Sequence, residues 1–292
     1  MSASTPDRVL VIGGGTMGRG IALAAVAAGL DTTVVDRDRA VLDAAAAFVV
    51  DRAGALADRR GNAAGSFTTA GSIAAAAAEA SVVIEAVVER PDVKRAVFSE
   101  LATTVRPEAL LASNTSTLSV TDLAAAAGGS PRVIGMHFFN PAHRMRLVEV
   151  VTAPSTADTT LADALALCRV LDKEPVVVAD VAGFVTSRLG LLLGNEAMRI
   201  VAEGTATAAD VDTAMRLGYN HPMGPLELAD LVGLDARLNN LRSVAERTGR
   251  PEFEPPAILC ELVAAGKLGR KSSVGFYRYQ PDGAIVDGPR HG

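Results

Sequence analysis

Compact apolar runs alternate with longer alanine- and leucine-rich stretches along the first part of the chain. Val9–Ile12, Thr32–Val35, Val82–Ala86, Leu110–Ser113, Val133–Met136, Leu147–Val151 and Val176–Val178 are short and almost wholly aliphatic. That is the signature of strands buried on both faces. Between them, Met17–Gly29, Asp38–Arg60, Ile73–Ala80 and Ala157–Leu171 read as helices, and another begins near Ser119 or Val120. The Asp38–Arg60 helix is expected to fray near Gly54, and the alanines from Ala74 to Ala78 to act as helix filler. Strand and helix alternation of this kind predicts a doubly wound, mostly parallel sheet. Past Asp180 the pattern turns helical, over Val185–Glu203, Thr207–Leu217, Pro225–Arg247 and Pro256–Ala265. Gly204, Gly218, Gly249 and Gly266 punctuate these stretches, and only Gly275–Tyr277 looks strand-like. The expected organisation is an α/β domain over residues 1–180 and an all-α C-terminal domain over 181–292. Leu189, Leu191, Leu192 and Leu193 make one helix apolar on more than one face. Such a helix needs a neighbour, either an intramolecular core or a second copy in a homodimer.

The first apolar run ends in Gly13-Gly14-Gly15-Thr16-Met17-Gly18, a helix follows, and the second run ends in Asp36. Strand, glycine turn, helix, strand and acid in this order are the context a G-x-G-x-x-G dinucleotide fingerprint requires, so the sheet is read as Rossmann-like. Gly13 allows the tight turn, Gly15 lets backbone approach a pyrophosphate, and Gly18 lets helix and strand pack closely. Thr16 and Met17 open the helix whose free N–H groups and dipole favour phosphate. Asp36 is placed to accept from ribose hydroxyls and would repel a 2′-phosphate. That favours NAD over NADP, with Arg37 next to it as the opposing feature.

Glu149 sits inside an apolar strand, where a carboxylate is costly unless paired. His137, at the expected carboxyl end of the preceding strand, is the natural partner. Histidine suits proton transfer near neutral pH. Glu89 lies in a strand-to-helix loop and Lys94 one turn into the helix that Pro91 opens. They are either a surface ion pair or neighbours of a nicotinamide ribose. Ser113-Asn114-Thr115-Ser116-Thr117 can line a polar cleft; Ser119 or Thr117 can cap the next helix, leaving Asn114 and Ser116 free. Arg52, Arg59 and Arg60 could meet an anionic substrate tail or form a solvated face, and the same choice applies to Lys267, Arg270 and Lys271. His143 and His221 read as structural or cleft-lining, Asn220–Pro225 as a rigid architectural loop, and Asp282–Gly292, with His291, as a poorly ordered tail.

Composition narrows the class. The chain has 292 residues, 49% hydrophobic and 21% charged, with net charge −5, typical of a globular protein. No basic run marks a nucleic-acid or anionic-membrane surface. Cys168 and Cys260 alone cannot build a disulfide framework or a metal site, which points to a reducing compartment. The N-terminus shows no signal-peptide pattern, and no apolar stretch reaches the ~18 residues of a membrane span. Cytoplasm is the expected location.

Seven segments together resemble the 3-hydroxyacyl-CoA dehydrogenase family, of the single-function 3-hydroxybutyryl-CoA type. They are GGGTMGRGIA (Gly13 to Ala22), EAVVERPDVK (Glu85 to Lys94), SNTST (Ser113 to Thr117), GMHFFNPAHRMRLVEVV (Gly135 to Val151), GFVTSRL (Gly183 to Leu189), LGYNHPMGPLELAD (Leu217 to Asp230) and KLGRKSSVGFYRY (Lys267 to Tyr279). The resemblance implies reversible NAD-dependent oxidation of an (S)-3-hydroxyacyl-CoA, a helical dimerising domain, and an acyl-CoA cleft between the domains. It further implies that His137 is the catalytic base, Glu149 its partner, and Ser116 a hydrogen-bond partner of the substrate oxygen with Asn114 beside it. Glu89 and Lys94 match positions near the cofactor, and Asn114 is counted with them as cofactor-binding. The family's G-F-x-x-N-R motif carries an active-site Asn where this chain has Ser187, a shorter group that a water can extend. Two alternatives stand beside this reading: a dehydrogenase of a free hydroxy acid of the L-gulonate type, and a non-catalytic dinucleotide-binding homologue.

Overall fold

The computed structural model describes residues 7–286. They form two compact units that divide between Phe184 and Val185. The first contains eight strands among the described residues: β1 (Arg8–Ile12), β2 (Asp31–Val35), β3 (Phe67–Ala70), β4 (Val82–Glu85), β5 (Leu110–Ser113), β6 (Val133–Phe138), β7 (Leu147–Thr152) and β8 (Glu174–Ala179). They make one sheet in the order β3-β2-β1-β4-β5-β6-β7-β8. All neighbours pair in parallel except β6 and β7, which are antiparallel, so β7 and β8 run against the rest. The sheet is doubly wound and mostly parallel, as the alternation predicts.

Helices cover it: α1 (Thr16–Ala27), α2 (Arg39–Arg60), α3 (Pro91–Thr104), α4 (Val120–Ala126) and α5 (Asp158–Val170). Side chains alternate across each strand, which splits the core in two. Val9 and Val11 of β1 belong to one core with residues of α1, α2 and α5, whereas Leu10 and Ile12 belong to the other with Phe98 and Leu101 of α3 and Leu123 of α4. Helix ends follow from local chemistry. The Asp38 side chain accepts from Ala40 N–H at 2.8 Å to start α2, and Gly61, at φ +71°, ends it. Ser119 caps α4 by accepting from Asp122 N–H, and Pro91 is the first residue of α3.

Three expectations for this unit need correction. Helix α2 passes through Gly54 without a break. Ile73–Ala80 is a series of turns, with Ala76 and Ala77 N–H both donating to the Ile73 carbonyl, and not a helix. Beyond Ile73, only the small side chains of Ala77 and Ala80 are buried here, too little apolar burial to offset helix nucleation. Strand β3 was not expected at all, because its FTTA sequence is half-exposed at the sheet edge and lacks a continuous apolar signal.

The second unit is helical: α6 (Thr186–Ala202), α7 (Ala208–Tyr219), α8 (Pro225–Val232), α9 (Leu234–Thr248) and α10 (Ala257–Ala264). The single helix expected over Pro225–Arg247 is two, because Gly233 takes φ +101° and breaks it. Gly218 lies inside α7, and the left-handed residue that ends that helix is Asn220, at φ +57°. The stretch from Asp282 to Val286 is not a loose tail. It turns back so that Ile285 bridges to Tyr279; His291 lies outside the described residues.

Buried carboxylates staple this unit. Asp212 accepts from Leu226 and Glu227 N–H at the start of α8, 2.8 Å each, and from the Tyr277 hydroxyl at 2.7 Å. Asp230 accepts from Phe276 and Tyr277 N–H and from the Tyr279 hydroxyl. Burial raises the Asp230 carboxyl above its ordinary range despite these donors. No described helix is long and apolar enough to cross a membrane.

Candidate active site

The glycine turn lies where β1 meets α1, next to the exit of β4. Gly13 is at φ +100°, and a Cβ there would stand 2.7 Å from the Ala86 carbonyl oxygen. A Cβ on Gly18 would overlap the Gly13 carbonyl, whereas nothing lies within 4 Å of one on Gly15. Gly15 is the residue before α1 and offers no side-chain cap, so the first-turn N–H groups around Thr16 and Met17 remain for a ligand. Asp36 follows β2, with one carboxylate oxygen accepting from Gly14 N–H at 2.8 Å and the other from Asp38 N–H at 3.0 Å. Open space over Gly15, an uncapped helix start and an acid fixed at the end of β2 together fit a dinucleotide.

The next strand ends carry a cluster of charges. Lys94 is only 1% exposed, so the surface ion-pair alternative for it does not hold. Its ammonium donates to both oxygens of Glu85, at 2.7 and 2.9 Å, and lies 3.3 Å from Glu89 Oε2. The other Glu89 oxygen accepts from Thr115 Oγ1 at 2.5 Å, Ser116 N–H at 2.8 Å and Thr117 N–H at 3.1 Å, with Ser116 Oγ at 3.3 Å. Burial alone would raise the Glu89 carboxyl, but Lys94 and these donors together hold it below the usual range. Glu85 was missed in the sequence reading. The signal was present, since it is a carboxylate ending an apolar strand, the same feature that singles out Glu149.

His137 is the fifth residue of β6, one step inside the strand rather than beyond it, and Glu149 is directly opposite on β7. Cross-strand register therefore sets the pair face to face. Nδ1 of His137 lies 2.8 Å from Glu149 Oε2, with Glu149 fully buried and His137 8% exposed. The rings of Phe139 and Phe184 flank the imidazole at 4.6 and 6.0 Å. Asn114 Oδ1 accepts from Phe138 N–H at 2.8 Å, tying the exit of β5 to the strand beside His137. Ser187 belongs to the second unit, in the first turn of α6.

On α2 a basic cluster gathers around Phe48. The guanidinium groups of Arg19 and Arg52 stand 4.9 and 4.6 Å from its ring centre, and His143 meets it edge-on at 5.6 Å. Burial, and then the charges of Arg144, Lys173, Arg52 and Arg60, push the His143 imidazole below its ordinary pKa. Arg60 Nη1 and His143 Nδ1 are buried without a hydrogen-bond partner. His143 thus belongs to a charged cluster, and His221 packs edge-on against Tyr219. Arg270 and Lys271 pair with Glu227 and Asp235, while Lys267 is exposed.

Residues 8–181 match the family described as 3-hydroxyacyl-CoA dehydrogenase, NAD binding domain, and residues 183–279 match its C-terminal domain. The chain belongs to the 3-hydroxyacyl-CoA dehydrogenase family. A probable 3-hydroxybutyryl-CoA dehydrogenase of Deinococcus radiodurans is 39% identical, over 92% of this chain and 99% of that protein. The mitochondrial hydroxyacyl-coenzyme A dehydrogenase of Rattus norvegicus is 38% identical, over 93% of this chain and 91% of its own length. Among solved structures, (S)-3-hydroxybutyryl-CoA dehydrogenase PaaH1 from Ralstonia eutropha superposes with a TM-score of 0.86 at 37% identity, covering 94% of this chain and 99% of that one. As a member of this family the protein is an NAD-dependent oxidoreductase, a 3-hydroxyacyl-CoA dehydrogenase. The non-catalytic alternative is set aside.

Proposed function

We propose that this dehydrogenase interconverts a short-chain (S)-3-hydroxyacyl-CoA and its 3-oxoacyl-CoA, with His137 as general base and acid and Glu149 as its orienting partner. The observation that carries the reading is the buried 2.8 Å bond between His137 Nδ1 and Glu149. It leaves the other ring nitrogen, Nε2, for the substrate oxygen. Glu149 fixes the tautomer and stabilises the imidazolium that forms when the alcohol proton is taken, as the carboxylate does in other His-acid pairs. When bound, NAD supplies the hydride acceptor, held by Gly13–Gly18 and Asp36. Ser116 hydrogen-bonds the substrate oxygen, Asn114 holds the β6 backbone beside the base, and Glu89 and Lys94 fix the turn that carries Ser116. Ser187 stands where the family motif has asparagine and takes over that residue's polar role.

Acyl-CoA is favoured over a free hydroxy acid by the basic cluster of Arg52, Arg60 and His143, in which Arg60 Nη1 and His143 Nδ1 lack a hydrogen-bond partner and suit a phosphate-bearing ligand. The short chain is supported by the 3-hydroxybutyryl-CoA names of the relatives. A homodimer through the helical unit and a cytoplasmic address complete the proposal, the latter supported by two free cysteines.

Oxidation of NADH followed at its near-ultraviolet band, with acetoacetyl-CoA, longer 3-oxoacyl-CoA thioesters and free acetoacetate in parallel, tests it. Highest kcat/KM for acetoacetyl-CoA and negligible turnover of acetoacetate are expected. A preference for long chains would sink the short-chain assignment, and a preference for the free acid would sink the CoA reading. His137→Gln is expected to lose more than about a thousand-fold in kcat while NADH affinity stays within about three-fold. Normal turnover in that variant would refute the base.

A further inference from the structure

Glu85 is fully buried at the end of β4, so it cannot touch a substrate, yet four donor contacts converge on it. Lys94 Nζ donates to both of its oxygens, Ser113 Oγ to Oε2 at 2.7 Å, and Val87 N–H to Oε1 at 2.7 Å. Ser113 in turn accepts from Thr115 N–H at 3.3 Å, and the Glu85 main-chain carbonyl accepts from Asn114 N–H at 2.8 Å. Both residues that follow β5 toward Ser116 are thus tied, directly or through one hydroxyl, to Glu85.

The lysine is shared between two acids, and that decides the matter. An ammonium group held from below by Glu85 reaches Glu89 Oε2 at 3.3 Å, which leaves Glu89 Oε1 for the N–H groups of Ser116 and Thr117. Without the Glu85 charge, a buried ammonium has Glu89 as its only carboxylate partner, and a buried charge does not stay unpaired. The Glu89 carboxylate would then turn toward Lys94 and loosen its hold on the 115–117 turn.

We infer that Glu85 is a positioning residue of the reaction: through Lys94 and Ser113 it fixes the Glu89 carboxylate and the 115–117 turn, and so sets where the Ser116 hydroxyl stands. The inference rests on the proposed role of Ser116. A small misplacement of a group that orients the substrate is costly in rate out of proportion to its cost in binding.

The test is a double-mutant cycle on the full-length enzyme, with kcat and KM for acetoacetyl-CoA and NADH binding by fluorescence as readouts. Glu85→Gln keeps the shape and removes the charge. It is expected to lower kcat by about ten-fold with both KM and NADH affinity within about three-fold. In a Ser116→Ala background the same substitution should lower kcat by less than about two-fold, because its effect has already been removed. An equal fall in both backgrounds, or no fall in either, would overturn the inference. If Ser116→Ala alone leaves kcat unchanged, the Ser116 assignment fails and the inference with it, a result distinct from additivity. Should Glu85→Gln not fold, Ser113→Ala removes one donor from the same carboxylate. It is expected to cost about three-fold in kcat, vanishing in the Ser116→Ala background, and a persistent loss there would overturn the inference as well.

Discussion

At the scale of the residue, two carboxylates show how burial assigns roles. Glu149 has no water to stabilise it, and its bond to His137 Nδ1 orients the imidazole. Removing it by Glu149→Ala leaves the ring free to turn and the imidazolium without its counter-charge, so kcat should fall by about 10²- to 10⁴-fold with NADH affinity little changed. Steady-state kinetics beside a binding titration check this. Glu89 makes a statement about stability instead. Its folded-state pKa is lowered, by Lys94 and the donors of the 115–117 turn against the effect of burial. A carboxylate lowered on folding contributes stability that is fully present above its unfolded value of about 4.3 and is lost as pH falls through the folded value. Denaturant midpoints between about pH 6 and pH 3 should therefore fall less steeply for Glu89→Gln than for the parent, from a lower starting point. An unchanged slope would show that Glu89 does not supply the linkage.

Elements differ in how plainly the chain announces them. Strands such as Leu110–Ser113 carry unbroken apolar runs and are paired as expected, whereas Phe67–Ala70 is a short edge strand whose threonines face outward and give no periodic signal. Gly233 divides α8 from α9, yet the apolar spacing runs on through it, so composition alone reads one helix. The His137–Glu149 pair was legible because a lone acid in an apolar strand demands a partner. Glu85 carries the same mark, but its partner does not, because the pairing with Lys94 runs between a strand end and a helix and leaves no pattern along the chain. In the second unit Asp212 does for α8 what a cap does locally, from fourteen residues away in sequence. Asp212→Ala would strand two N–H groups and the Tyr277 hydroxyl, and should destabilise by about 3 kcal/mol, read as a lower denaturant midpoint.

For the whole molecule, the helical unit exposes more apolar surface than an isolated protein needs. Leu217 is 83% exposed and Leu189 63%, with Leu231 and Val232 also open. Such a surface suits a second copy of the chain. Sedimentation should give twice the chain mass, and Leu189→Lys with Leu217→Lys should shift it toward the monomer; an unshifted wild-type monomer would remove the dimer. The reversed direction of β7 has a further consequence for how such an enzyme can change. Because β6 and β7 form an antiparallel pair, His137 and Glu149 ride on one hairpin, joined by residues 139–146 alone. Their facing is fixed by ladder register, and a slip of one residue would turn one of them to the opposite side of the sheet. The loop between the strands is tied down as well: Lys173 Nζ donates to the Ala142 and Met145 carbonyls at 2.7 and 2.8 Å, and Ala142 is buried. Substitution at exposed tip positions such as Asn140 and Arg144 can therefore alter the surface of the hairpin while the His137–Glu149 pair is inherited intact.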